Sequence, residues 1–144
     1  TIEVVPCMEE VLGVSLPDLN DPHSLPKLRE MLRDHDPGYV DESESGGEGY
    51  GELTRIVNKM VSTLVEPLCV QPTFLVHHPL ILSPLARRAD PDVCKNTQLA
   101  ERFELFIGGR ELCNAYTELA DPNEQRRRFA LQEAARESGD SEAA

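Results

Sequence analysis

The run ERFELFIGGRELCNAYTEL at residues 101–119 sets Glu104, Glu111, Asn114, Tyr116 and Glu118 among apolar neighbours, on either side of a Gly108-Gly109 pair. An unpaired carboxylate buried beside apolar side chains is strongly unfavourable, so a cation should meet these acids. Gly-Gly suits a two-residue type I′ turn, in which both central residues need positive φ. That turn predicts a hairpin with Ile107 opposite Arg110, Phe106 opposite Glu111 and Glu104 opposite Cys113. Glu104 and Glu111 then lie on one face as diagonal neighbours roughly 7–8 Å apart. Two oxygen donors, with room left for phosphate oxygens and water, describe a Mg²⁺ site shared with a nucleotide. The competing expectation is a solvated sheet face on which Arg102 or Arg110 neutralises the acids. In a regular strand Asn114, Tyr116 and Glu118 face away from Glu111. A single pocket therefore requires a β-bulge near Leu112–Cys113; without one, Glu118 faces solvent on the opposite side.

The elements around the hairpin read as α+β, with an antiparallel sheet at the centre. Short helices are expected at 6–12 and 24–35. In the second, Leu25, Leu28, Met31 and Leu32 are at helical spacing and Ser24 stands as N-cap. The clearest helix is 51–66, where Leu53, Ile56, Val57, Met60, Val61, Leu64 and Val65 form one apolar stripe that Pro67 ends. Core packing explains this stripe better than a partner-binding face. Thr73–His77 reads as a short strand between prolines. SPLARR at 83–88 and the polar stretch 89–98 read as exposed loop. Asp121-Pro122-Asn123-Glu124 is a capping-box helix start. The helix it opens should run from Pro122 to about Glu137, with Phe129, Leu131 and Ala134 inward and Gly139 and an acidic tail at its end.

The chain has 144 residues, 40% of them apolar, enough for one modest core. Its net charge of −12 opposes nucleic-acid binding through this segment alone. Cys7, Cys69, Cys94 and Cys113 form no CxxC pair, which fits reduced thiols in a cytosolic protein. Cys113 is expected to be a small core residue. No stretch approaches the roughly 20 apolar residues that span a membrane. The acidic, glycine-rich stretch 41–52 reads as a surface loop; with no strand before it and no Lys-Ser/Thr after it, it does not suit a phosphate cradle. His77 and His78, adjacent on a strand, point apart and make poor joint metal ligands. Ser83 has no general base at recognisable spacing. Arg126, Arg127 and Arg128 point in different directions on a helix and read as solvated surface.

RFELFIGGRELCNAYTEL, together with EPLCVQPTFLVHHPLILSPLARR at 66–88 and DPNEQRRRF at 121–129, closely resembles the catalytic domain of class II lysyl-tRNA synthetases. The likeness covers roughly 50–144 well and the start of the chain more loosely, so residues 1–144 read as part of one catalytic domain. The resemblance implies that Glu104 and Glu111 bind Mg²⁺ against the phosphates of ATP. It implies that Asn114 contacts bound L-lysine near its carboxylate, that Tyr116 lines the lysine pocket and that Glu118 meets the ε-ammonium. A cationic substrate side chain needs such a fixed carboxylate, whereas the relatives specific for aspartate and asparagine do not. The implied reaction forms lysyl-adenylate and pyrophosphate, then transfers lysine to tRNA(Lys). A cytoplasmic homodimer is the implied setting, with a mitochondrial form left open.

The three family motifs are not found: no motif 2 Arg/Glu strand-loop-strand, no motif 3 glycine-rich strand and no motif 1, nor an anticodon-binding barrel. With TIEVVP at its start and SGDSEAA at its end, the chain reads as a segment between motifs 2 and 3 that holds half a site and is inactive alone. No catalytic residue is assigned within it. Two alternatives stand beside this expectation. One is a synthetase-like paralogue that lysylates an elongation factor; the other is a non-catalytic module that binds protein through an incomplete sheet edge.

Overall fold

The computed structural model describes residues 1–39, 49–90, 92 and 98–137. Strand β1 (Ile2–Glu3) leads into helix α1 (Val4–Leu12), followed by α2 (Leu25–His35) and α3 (Tyr50–Leu64). Then come β2 (Thr73–Val76), the hairpin β3 (Arg102–Ile107) and β4 (Arg110–Tyr116), and finally α4 (Pro122–Glu137). The strands form one sheet in the order β1-β2-β3-β4. It is mixed rather than purely antiparallel, because β1 runs parallel to β2. The α+β reading holds.

The apolar stripe of α3 is the centre of the core, and all seven of its expected residues are buried. Met8 of α1, Leu28 and Leu32 of α2, and Leu75 and Phe106 of the sheet pack into the same cluster. A polar clamp joins α2 to α3: Glu52 accepts from Arg29 at 2.7 Å and from Arg55 at 2.7 and 2.9 Å. Burial raises the Glu52 carboxyl, but its bonds to Arg55 and Arg29 more than offset that and leave it below the usual range.

Several local expectations are corrected. Ser24 does not cap α2, because it is already helical as the last residue of a 3-10 turn that Asp21 opens. The strand expected at Thr73–His77 stops at Val76, since His77 turns left-handed with φ 56°. Segment 83–88 is not an exposed loop: Ser83 and Ala86 are buried, as is Ala89 just beyond. Asp121 does cap α4, accepting from the N–H groups of Asn123 and Glu124 at 2.9 and 3.3 Å. Glu124 does not complete the box; its carboxylate binds Arg127 and Arg128.

On α4, Phe129 and Ala134 are exposed and Leu131 half-buried. The residue that faces inward is Arg128, 5% exposed, donating to the carbonyls of Ala86 at 2.7 Å and Pro84 at 3.3 Å. It is therefore not solvated surface, and α4 docks by hydrogen bonds rather than by an apolar stripe. Cys7, Cys69 and Cys113 are free thiols, and Cys113 is exposed rather than in the core. Residues 41–48 of the acidic loop, residues 91 and 93–97 (Cys94 among them) and the tail from 138 on lie outside the described residues.

Candidate active site

Gly108 and Gly109 have φ of 61° and 73°, as a type I′ turn demands, and fix Ile107 opposite Arg110 and Phe106 opposite Glu111. Beyond that pair the register shifts. Leu112 is skipped, Leu105 faces Cys113, and Glu104 faces Asn114 rather than the expected Cys113. This is the anticipated bulge, at the anticipated place. Directly paired residues share a sheet face, so Phe106 with Glu111, Glu104 with Asn114, and Arg102 with Tyr116 all belong to one side. The bulge thus joins groups that a regular strand would divide. Past Tyr116 the backbone stays extended: Thr117 N–H donates to Glu101 O at 2.9 Å and Leu119 N–H to Leu85 O at 2.8 Å. Glu118 lies in this segment opposite Ala86, two residues on from Tyr116, and is exposed.

Glu104 is buried and held at both oxygens. Its Oε2 lies 3.0 Å from Nε2 of His78, while Oε1 accepts from Arg102 and, at 3.3 Å, from Asn114 Nδ2. Arg102 also donates to Asn114 Oδ1 at 3.1 Å, Leu82 O at 2.9 Å and Ser83 Oγ at 3.0 Å. Ser83 is thus a buried acceptor that braces Arg102. Burial pushes the Glu104 carboxyl up, but the His78 bond and the Arg102 guanidinium outweigh it and hold the group below its usual range. Arg102 therefore neutralises Glu104, as the competing expectation held, but inside the fold rather than on a solvated face.

Glu66, in the 3-10 turn Glu66–Leu68, was not singled out from sequence. Burial, then repulsion from Glu104 and Glu111, pushes its carboxyl up, with His78 opposing. Glu66 thus lies close enough to Glu104 and Glu111 for their charges to act on it. His78 was likewise missed as a working part, whereas Arg102 was named only under the competing expectation. The signal for His78 was weak: it needs the left-handed turn at His77, a conformation His tolerates better than most residues. That turn breaks the strand's alternation and sends the adjacent rings to different partners, His78 to Glu104 and His77 toward Glu3 at 3.9 Å.

A divalent cation fits this donor set in part. A carboxylate has about four lone-pair sites, and three are taken at Glu104 by His78, Arg102 and Asn114. Glu111 is exposed, and its carboxylate takes no hydrogen bond or ion pair among the described residues. Among those residues no cluster of three or more His, Cys, Asp or Glu encloses a metal position. Any cation here must draw further oxygens from a ligand.

An acid-rich hairpin face backed by a half-buried arginine, in an α+β frame, agrees with what the chain matches as a whole. Residues 4–143 match the model of the tRNA synthetases of class II (D, K and N), and the chain belongs to that family. Among its relatives is the lysine–tRNA ligase of Bacillus cytotoxicus, 37% identical over 142 residues that cover 99% of this chain and 26% of the relative. A protein of Vairimorpha ceranae named "probable lysine–tRNA ligase, cytoplasmic" is 39% identical over 94% of this chain and 24% of its own length. Lysine–tRNA ligase cla4 of Cladosporium cladosporioides is 38% identical over 99% of this chain and 22% of its own. The chain thus spans about a quarter of the length of these relatives.

Proposed function

We propose that this chain supplies the lysine-facing and metal-facing hairpin of a lysine–tRNA ligase. The carrying observation is the bulge at Leu112, which turns Glu104, Glu111, Asn114 and Tyr116 to one face. On this reading Glu111 and the remaining site on Glu104 would hold Mg²⁺, which when bound would neutralise charge on the phosphates of ATP. Asn114, already aligned by Arg102 and Glu104, meets the lysine carboxylate end, Tyr116 lines the side-chain pocket and Glu118 pairs with the ε-ammonium.

The lysine carboxylate then attacks the α-phosphate of ATP, pyrophosphate leaves, and the lysyl group of the resulting adenylate passes to tRNA(Lys) with release of AMP. The chain's own contribution is orientation and fixed charge, the two large terms in phosphoryl and nucleotidyl transfer. For the full-length protein the setting we assign is a cytoplasmic homodimer, with a mitochondrial form as the alternative. Among the described residues no helix is long and apolar enough to cross a membrane.

The test is lysine-dependent pyrophosphate exchange by the full-length protein. Glu111→Gln should impair use of MgATP, and Glu118→Gln use of lysine. Exchange supported by aspartate or asparagine instead of lysine would overturn the reading.

A further inference from the structure

We propose that His78 is a positioning residue for Glu104, donating from Nε2 to Oε2 and holding that carboxylate in the attitude the metal-facing site requires. The inference rests on the lysine–tRNA ligase reading, because the role assigned to Glu104 comes from it. Four observations carry it. His78 is 2% exposed, so bulk solvent does not reach its ring. Its Nε2 lies 3.0 Å from Glu104 Oε2, while its Nδ1 is buried without a hydrogen-bond partner. An unpartnered lone pair is easier to bury than an unpartnered N–H, so the proton belongs on Nε2, which makes His78 the donor.

The backbone is also built to deliver the ring. His77 takes the left-handed turn, Ala100 N–H donates to His78 O at 2.8 Å, and Pro79 pairs with Leu99 in an antiparallel bridge. The ring is thereby fixed against β3 from a neighbouring segment. Finally, the two oxygens of Glu104 are divided between bracing groups: Arg102 and Asn114 share Oε1, and His78 alone holds Oε2. Without His78 the carboxylate can rotate toward Arg102, and the orientation of its free lone pair is lost. Partners that orient a metal-facing ligand in this way typically contribute 10–100-fold to metal affinity or activity.

The experiment compares His78→Gln with His78→Asn in the full-length protein. Both are polar amides, but only Gln can place a donor near the position of Nε2. His78→Asn should raise the Mg²⁺ concentration needed for half-maximal exchange about tenfold or more, with the KM for lysine changed less than twofold. His78→Gln should recover most of the loss.

A second readout needs no metal. In EDTA, unfolding midpoints of wild type, His78→Asn, Glu104→Gln and the double variant should be non-additive, with the second substitution adding little to the first. Equal Mg²⁺ dependence of the Gln and Asn variants, or additive unfolding midpoints, would overturn the proposal. If wild type shows no lysine-dependent exchange, the functional reading fails instead, and the EDTA cycle still decides the His78–Glu104 interaction.

Discussion

The carboxylates of the hairpin differ in what already holds them. Glu104 is committed inside the fold, whereas Glu111 and Glu118 are exposed and their carboxylates take no hydrogen bond or ion pair among the described residues. Free acceptors of this kind suit ligands rather than scaffold. If Glu118 pairs with the ammonium of lysine, Glu118→Gln removes a charge-assisted bond and little else. The expected result is a fall in kcat/KM for lysine of about 10- to 100-fold with the KM for MgATP nearly unchanged, read by pyrophosphate exchange. Unchanged lysine kinetics would remove Glu118 from the site. The shared face of Glu104, Glu111, Asn114 and Tyr116 was legible because a Gly-Gly turn fixes the register and a single pocket required a bulge near Leu112–Cys113, whereas the roles of these residues came from the family resemblance. His78 was not legible, because its contact with Glu104 spans 26 positions and depends on a backbone twist at His77.

Element by element, strong periodicity was read correctly and weak periodicity was not. The stripe of α3 placed itself because seven apolar residues repeat at helical spacing. On α4 the same reasoning chose Phe129 and missed Arg128, since the helix is held by an arginine bonded to backbone carbonyls of the 83–88 segment. That segment was misread as exposed for the same reason: its buried side chains are the small Ser83 and Ala86, which carry no apolar signal. Glu124 anchors the arginines. Its bonds to Arg127 and then Arg128 lower its carboxyl from 4.5 to about 2. A depressed pKa stabilises the fold above the unfolded value and is lost as pH falls toward the folded one. Wild type should therefore exceed Glu124→Gln in stability by on the order of 1 kcal/mol at neutral pH, allowing for solvent screening. That advantage should vanish between pH 4.5 and about 2, measured by urea unfolding at each pH. The hairpin turn is a second element-scale test. At φ 61°, Gly108→Ala should lower stability by about 1–2 kcal/mol although open space surrounds the new methyl.

At the scale of the whole molecule, the sheet is finished on one face only. Leu75 and Phe106 look into the core, whereas Phe74, Phe103 and Ile107 on the other side are exposed, with Phe74 and Phe103 meeting edge to face at 5.6 Å. The α+β class was readable because helix and strand patterns alternate. The parallel β1–β2 pair was not, since a two-residue strand leaves no periodic trace. On the proposed function the chemistry is divided in the same way. Binding ATP productively requires cations at its phosphates. Arg102, the cation on the Glu104 face, is spent on Glu104, Asn114, Ser83 Oγ and Leu82 O, while Arg110 pairs with Ile107 and belongs to the opposite face. The net charge of −12 further disfavours a polyanion. The 144 residues alone should therefore show no lysine-dependent pyrophosphate exchange above background and no saturable MgATP binding by calorimetry below about 1 mM, a free energy of only about −4 kcal/mol. The full-length protein should show both. Exchange by the isolated 144 residues would mean that the guanidinium groups needed at the phosphates are supplied within them, and the division of the site would have to be redrawn.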